Sequence, residues 1–180
     1  MGHFNFIRMK IIRYKKISST SELAKELKLE AWTVILADEQ TSGYGRKGRE
    51  WFSPKGGLYF TIVLPRIGID DLQILTFLAA FSIGKIVKEK LNLEPFIKFP
   101  NDIYINQKKI CGILTENVIG KNVKLSIMGI GLNTNIEEFP RDLNDVATSL
   151  KVETGKKVNH NEILKKIITE IKQNLRTITQ

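Results

Sequence analysis

Two uninterrupted apolar runs, WTVILAD at 32–38 and GLYFTIVLP at 57–65, constrain this chain more than any other feature. Neither alternates with polar residues, so the first reads as a central strand and the second as a buried one. Between them stands TSGYGRKGREWFSPKGG, residues 41–57, with five glycines and the cations Arg46, Lys47 and Arg49. A long basic loop held between two buried strands is uncommon unless it has a function.

The flanking segments supply the rest of a sheet and its cover. MKIIRYKKI (9–17) alternates as a half-buried strand does, and Ser19 with Glu22 has the form of a capping box opening a helix. DDLQILTFLAAFSIGKIVKEKLNL (70–93) has an acidic start, a lysine-rich end and helical apolar spacing. FIKFPNDIYINQKKICGILTENV gives a short strand, a Pro-Asn-Asp turn and a hairpin around NQKK, and VKLSIMGIGLNTN gives a further strand. The last segment sets Ile163, Leu164, Ile167, Ile168, Ile171 and Leu175 on one helical face. That stripe can pack internally or make a homodimer. Strands and helices mix without strict alternation, which favours an α+β fold, a mixed sheet flanked by helices, over a doubly wound parallel one.

At 180 residues the chain suits one domain, expected over 9–180 with residues 1–8 as a ragged extension. A hydrophobic fraction of 42% and a charged fraction of 26% are those of a soluble globular protein. No apolar run reaches the ~18 residues of a membrane span. MGHFNFIRMK lacks a signal-peptide core, and Phe6 breaks the myristoylation pattern. Cys111 is the one cysteine, which excludes an internal disulfide and suits a reducing cytoplasm. With His3 and His160 the only histidines, a zinc site is not expected, and no metal ligands can be assigned. The net charge of +9 leaves two partners open, nucleic acid and the phosphates of a small molecule. The basic residues do not interleave with aromatics in a nucleic-acid motif, so the first ranks low.

Four places carry candidate chemistry. Glycines in the 41–57 loop let backbone N–H groups approach an anion, and Arg46 offers a fork matched to phosphate or carboxylate; a long solvated hairpin is the bland alternative. In KFPNDIYINQKKICGIL (98–114), Asn101 and Asp102 sit at a strand end, and Lys109 lies amid apolar neighbours. Strict alternation puts Cys111 and Ile113 on the face of Lys109, where a lysine either snorkels outward or meets an anion. In GIGLNTN (129–135), alternate glycines clear one face of a strand for a flat ligand, another backbone or tight helix packing. Ser19, Thr20 and Ser21 offer hydroxyls to a polar ligand, although helix capping already accounts for them.

Taken together, in this order, the motifs resemble those of the biotin protein ligases. QTSGYGRKGREWFSPKGGL matches the family's Gln, G-R-G-R-x-G-R-x-W loop and S-P-x-G-G-L; KFPND with QKKICGIL matches K-W-P-N-D and its hairpin; GIGLN matches G-x-G-x-N. The resemblance covers 17–150 and implies a sheet-and-helix fold like those of lipoate ligases and class II aminoacyl-tRNA synthetases. It implies a reaction in which biotin and ATP, with Mg2+, give biotinyl-5'-AMP, followed by transfer of biotin to a lysine of a biotin carboxyl carrier protein.

It carries catalytic roles onto Arg46 and Lys109. Biotin binding falls to Ser19, Thr20, Ser21, Gln40, Thr41, Gly43, Gly45, Arg46, Lys47, Lys109, Gly112 and Gly129, and ATP binding to Arg46, Arg49, Trp51, Asn101, Lys109 and Asn133. Tyr44 stands where the family has the first loop arginine, and Phe99 where it has tryptophan. A small C-terminal domain and a DNA-binding segment found in relatives are expected to be absent, and with them a repressor role. Alternatives on the same fold are a lipoate or octanoate ligase or transferase, and a truncated paralogue that holds biotin without transferring it.

Overall fold

The computed structural model describes residues 9–119, 121 and 123–178, so the expected extension 1–8 lies outside them. Seven strands are present: β1 (Lys10–Tyr14), β2 (Thr33–Ala37), β3 (Leu58–Leu64), β4 (Phe96–Lys98), β5 (Asp102–Ile105), β6 (Lys108–Ile119) and β7 (Val123–Leu132). They form one sheet in the order β1-β2-β3-β7-β6-β5-β4. Only β1 and β2 run parallel; the other pairs are antiparallel, so the sheet is mixed as expected. β2 is not central but second from an edge, because β1 returns outside it. It is buried on both faces all the same.

The two apolar runs are buried because each face of the sheet has its own cover. Val34, Leu36, Phe60 and Ile62 point into a large core beneath α2 (Leu72–Leu91) and α4 (His160–Ile178). Ile35, Val63 and Ile127 point the other way and meet Ala24 of α1 (Thr20–Glu26). All six apolar residues of the α4 stripe are buried in the large core, so that stripe packs internally and offers nothing to a second subunit. The glycine-rich segment folds into a small hairpin with a 3-10 turn at Arg46–Gly48. A short α3 (Leu150–Thr154), capped by Ser149, gave no periodic signal because it is barely one turn long. Among the described residues no helix is long and apolar enough to cross a membrane.

The capping box forms only halfway. Ser19 Oγ accepts from the backbone N–H of Ser21 at 3.2 Å and Glu22 at 3.4 Å. The Glu22 carboxylate turns to Tyr44 and Lys25 instead of returning to the cap.

At the other end of the fold, His160 opens α4 with Nε2 2.6 Å from Thr134 Oγ1 and 3.0 Å from Asn135 Nδ2. Burial disfavours its charged form and holds its pKa below the ordinary histidine value. The unfolded chain therefore binds a proton first as pH falls, so stability present above the unfolded value is lost as pH drops through the folded one. Melting temperature is expected to decline between about pH 7 and 5, and His160→Gln to flatten part of that slope. An unchanged slope in the variant would remove His160 from the account.

Candidate active site

The sheet leaves a hole in its α1-side cover, and the register explains where. One row across the sheet reads Val63, Ile127, Glu116 and lies under α1; the next reads Ile35, Thr61, Gly129, Leu114; the third reads Ala37, Tyr59, Gly131, Gly112. α1 still reaches the second row through Ser21 and Ala24, while on the third row it is the Trp51 indole that lies over Gly131 and Gly112. The two glycine-bearing rows form the floor of a cavity of about 570 Å3, roofed by the Gly43–Trp51 hairpin.

One end of the cavity is polar and uncharged. Gln40 Oε1 accepts from Thr20 N at 2.8 Å and Thr20 Oγ1 at 3.0 Å, while its Nε2 donates to Ser53 Oγ at 3.0 Å. Thr61 Oγ1 donates to Thr20 Oγ1 at 2.9 Å, so its single proton is spent, and Ser21 Oγ must donate in the 3.0 Å contact to Thr61. The chain of hydroxyls thus runs one way, and Ser21 Oγ keeps lone pairs for an incoming N–H. A Cβ at Gly129 would stand 2.6 Å from that oxygen, so Gly129 makes room for Ser21 on the helix. This is the packing role that alternate glycines left open.

Trp51 spans the middle. A Cβ at Gly131 would lie 2.2 Å from its Nε1 and one at Gly112 would lie 3.0 Å from its Cζ3, so this glycine pair is the platform on which the indole rests. Buried Nε1 has no hydrogen-bond partner among the described residues.

The opposite end is charged. Lys109 Nζ lies 2.8 Å from Asp102 Oδ1 and 5.1 Å from the centre of the Trp51 ring. Asn101 Nδ2 donates to the same Asp102 oxygen at 2.8 Å, and Arg46 donates to Asn101 Oδ1 at 3.2 Å. Arg46 reaches this group from the hairpin tip, so a cation on the roof and a cation on the floor converge. Lys109 is brought here by a β-bulge, which strict alternation missed. Tyr104 pairs with Lys109 but Ile103 with Cys111, leaving Ile110 as an extra residue that flips the phase. Lys109 therefore shares the cavity face with Gly112, while Ile110 and Cys111 are both buried in the core. Burial pushes the Cys111 thiol up, which removes it as a nucleophile.

Of the remaining expected residues, Gly45, Lys47, Arg49 and Asn133 line the cavity. Asn133 Nδ2 donates to Thr148 O at 3.0 Å, tying the 146–148 segment to the site. Ser19, also in the wall, has its Oγ occupied by the helix cap. Thr41 and Gly43 stand outside the wall: Thr41 is exposed, and Gly43 is buried behind it, where a Cβ would be 2.5 Å from Ser53 Oγ. Phe99 is 67% exposed and faces Phe77 instead of the cavity.

Asp102 and Gly131, which stand inside the sequence motifs without an assigned role, line the cavity, and Thr61 and Ser53, outside those assignments, join it through the hydroxyl and amide network behind its wall. A threonine inside the apolar run 57–65 was the available sign for Thr61. Phe139, Leu143 and Ala147 complete an apolar wall from a loop with no periodic signal.

The mixed sheet with its helices and cavity has the biotin/lipoate ligase fold, which is like that of the class II aminoacyl-tRNA synthetases. The sequence model described as the Biotin/lipoate A/B protein ligase family matches residues 14–133, and the chain belongs to that family. It is 37% identical over 166 residues to the Bifunctional ligase/repressor BirA of Bacillus subtilis (strain 168), covering 88% of this chain and 51% of that protein. To the Biotin--[acetyl-CoA-carboxylase] ligase of Paracoccus denitrificans it is 36% identical over 152 residues, covering 79% and 62%. The chain thus spans about half to two thirds of these curated relatives. The structure of the biotin protein ligase from Aquifex aeolicus in complex with biotin and ATP superposes with a TM-score of 0.85 at 36% identity, covering 93% of this chain and 70% of that one.

Proposed function

We propose that this cavity joins biotin to ATP as biotinyl-5'-AMP and passes the biotinyl group to one lysine of a biotin carboxyl carrier protein. The observation that carries the reading is the polarity of the cavity: a neutral amide and hydroxyl end, an apolar and indole middle, and a cationic end. Biotin has the same order, with an uncharged ureido ring, an aliphatic chain and a carboxylate. Lipoate's apolar ring would leave the open lone pairs of Ser21 Oγ without a donor, whereas a ureido N–H of biotin can fill them, and a site built to hydrogen-bond discriminates against such an analogue.

In the first step the biotin carboxylate attacks the α-phosphorus of ATP, a P–O bond forms and pyrophosphate leaves. Arg46 and Lys109 hold the acid and neutralise charge that builds on phosphorus. In the second step the carrier's lysine amine attacks the mixed anhydride, an amide forms, and AMP leaves with the carboxyl oxygen it shared. Covering the cavity between the steps keeps water from the anhydride. Mg2+ would enter with the phosphates, which usually supply most of its ligands, and Asp102 is the carboxylate at the cationic end fitted to meet it. ATP supply and the single thiol suit a cytoplasmic setting.

The test is transfer. With MgATP and a carrier domain, intact-mass analysis should show one biotin per carrier, and none on a carrier whose acceptor lysine is arginine. Lipoate transfer in place of biotin would reassign the chain within its family.

A further inference from the structure

Tyr44 departs from the family's loop arginine, and its surroundings give it a different task. Its phenol donates to Glu22 Oε1 at 2.6 Å, with Glu116 Oε2 at 3.1 Å. Lys25 Nζ donates to Tyr44 Oη at 2.8 Å and to Glu22 and Glu116 at 3.1 Å each, and it lies 5.3 Å from the centre of the Tyr44 ring. One phenol and one ammonium thus bridge two carboxylates, one on α1 and one on β6. Burial works against the Lys25 ammonium, yet its bonds to Tyr44, Glu116 and Glu22 outweigh that and raise its pKa. Burial, then Glu22, raises the pKa of Tyr44, keeping the phenol a donor.

The hairpin needs such an anchor. Its own ladder consists of Gly45 N to Arg49 O at 2.8 Å and Trp51 N to Gly43 O at 2.9 Å, around a Tyr44–Glu50 bridge. A two-stranded ribbon this short is marginal in water. Its second limb is held by the Trp51 indole on the glycine platform. The first limb has Tyr44.

We propose that Tyr44, Lys25, Glu22 and Glu116 form a latch that positions the hairpin, and with it Arg46, over the cavity, retaining the acyl-adenylate between the two chemical steps. These are positioning residues, and their chemical purpose rests on the ligase reading. An arginine at position 44 could fork between the same two carboxylates, so the latch tolerates Arg but not Phe.

Two readouts test it on the parent protein, Tyr44→Phe and Tyr44→Arg: amide exchange of peptides covering 43–51 without ligand, and the rate at which preformed biotinyl-adenylate leaves the protein. Tyr44→Phe should speed both by about tenfold, as loss of a charge-assisted hydrogen bond implies, with peptides of β3 and β7 unchanged and Tyr44→Arg close to the parent. Parental exchange of 43–51 in Tyr44→Phe would overturn the latch. So would faster exchange without faster release, equal loosening of β3 and β7, or a Tyr44→Arg protein as loose as Tyr44→Phe. A parent that forms no biotinyl-adenylate would sink the ligase reading alone, and exchange would still decide the latch.

Discussion

Lys109→Ala is expected to cut biotin-dependent pyrophosphate release by roughly 10²–10³-fold, the usual loss for one donor aimed at developing charge. Its side chain is the floor cation of the cavity's charged end, fixed by Asp102 on one side and the Trp51 ring on the other. Unfolding would not explain such a loss. The Lys109–Asp102 pair is about three quarters buried, so losing the lysine costs more than the about 0–1 kcal/mol of an exposed pair and less than the about 3–5 kcal/mol of a fully buried one, and Asn101 still donates to Asp102. The backbone of Lys109 keeps its bonds to Val146 and Thr148 whatever the side chain. The melting temperature should fall by a few degrees while the protein stays folded at assay temperature and the rate collapses, and Lys109→Arg should recover part of the rate. Near-parental release by Lys109→Ala would remove the lysine from the chemistry.

Gly131→Val is expected to be the second most damaging change. Gly131 lies on the central strand β7, and a Cβ there meets Trp51 Nε1 at 2.2 Å, so the indole is driven off its platform and into the cavity. Overpacking of this sort costs about 1–3 kcal/mol, which on ligand affinity is a loss of about fivefold to 150-fold. Gly112→Ala, with its Cβ at 3.0 Å from the ring edge, asks the indole to give by only a few tenths of an ångström and should cost less. Biotin titration followed by intrinsic fluorescence, with Trp32 and Trp51 the two reporters, gives both values. Equal losses, or a larger loss for Gly112→Ala, would contradict the platform.

The fold was legible where local pattern and tertiary burial agree. The apolar runs of β2 and β3, the long helix α2 and the stripe of α4 each bury what their sequence spacing presents. The site was legible as three motifs, because Gln40, Arg46, Trp51, Asn101, Lys109 and Gly129 converge on one cavity from distant parts of the chain. The rest depended on register. Lys109 faces the cavity only because Ile110 is bulged, and no alternation pattern shows where a bulge falls. Thr61 and Gly131 matter through the residues opposite them, Gly129 and Gly112 among them, which a single strand does not reveal. Glu22 looked like half of a capping box because the sequence nearby contains its cap but not Tyr44 and Lys25, which compete for its carboxylate.

The most direct test is pyrophosphate release from MgATP with biotin, with lipoate and with no acid, together with mass detection of the acyl-adenylate held by the protein. Biotin-dependent release with biotinyl-5'-AMP bound, and little response to lipoate, is the predicted result. Release that depends on lipoate and not biotin, or no acid-dependent release at all, would contradict the assignment of this cavity to biotin activation.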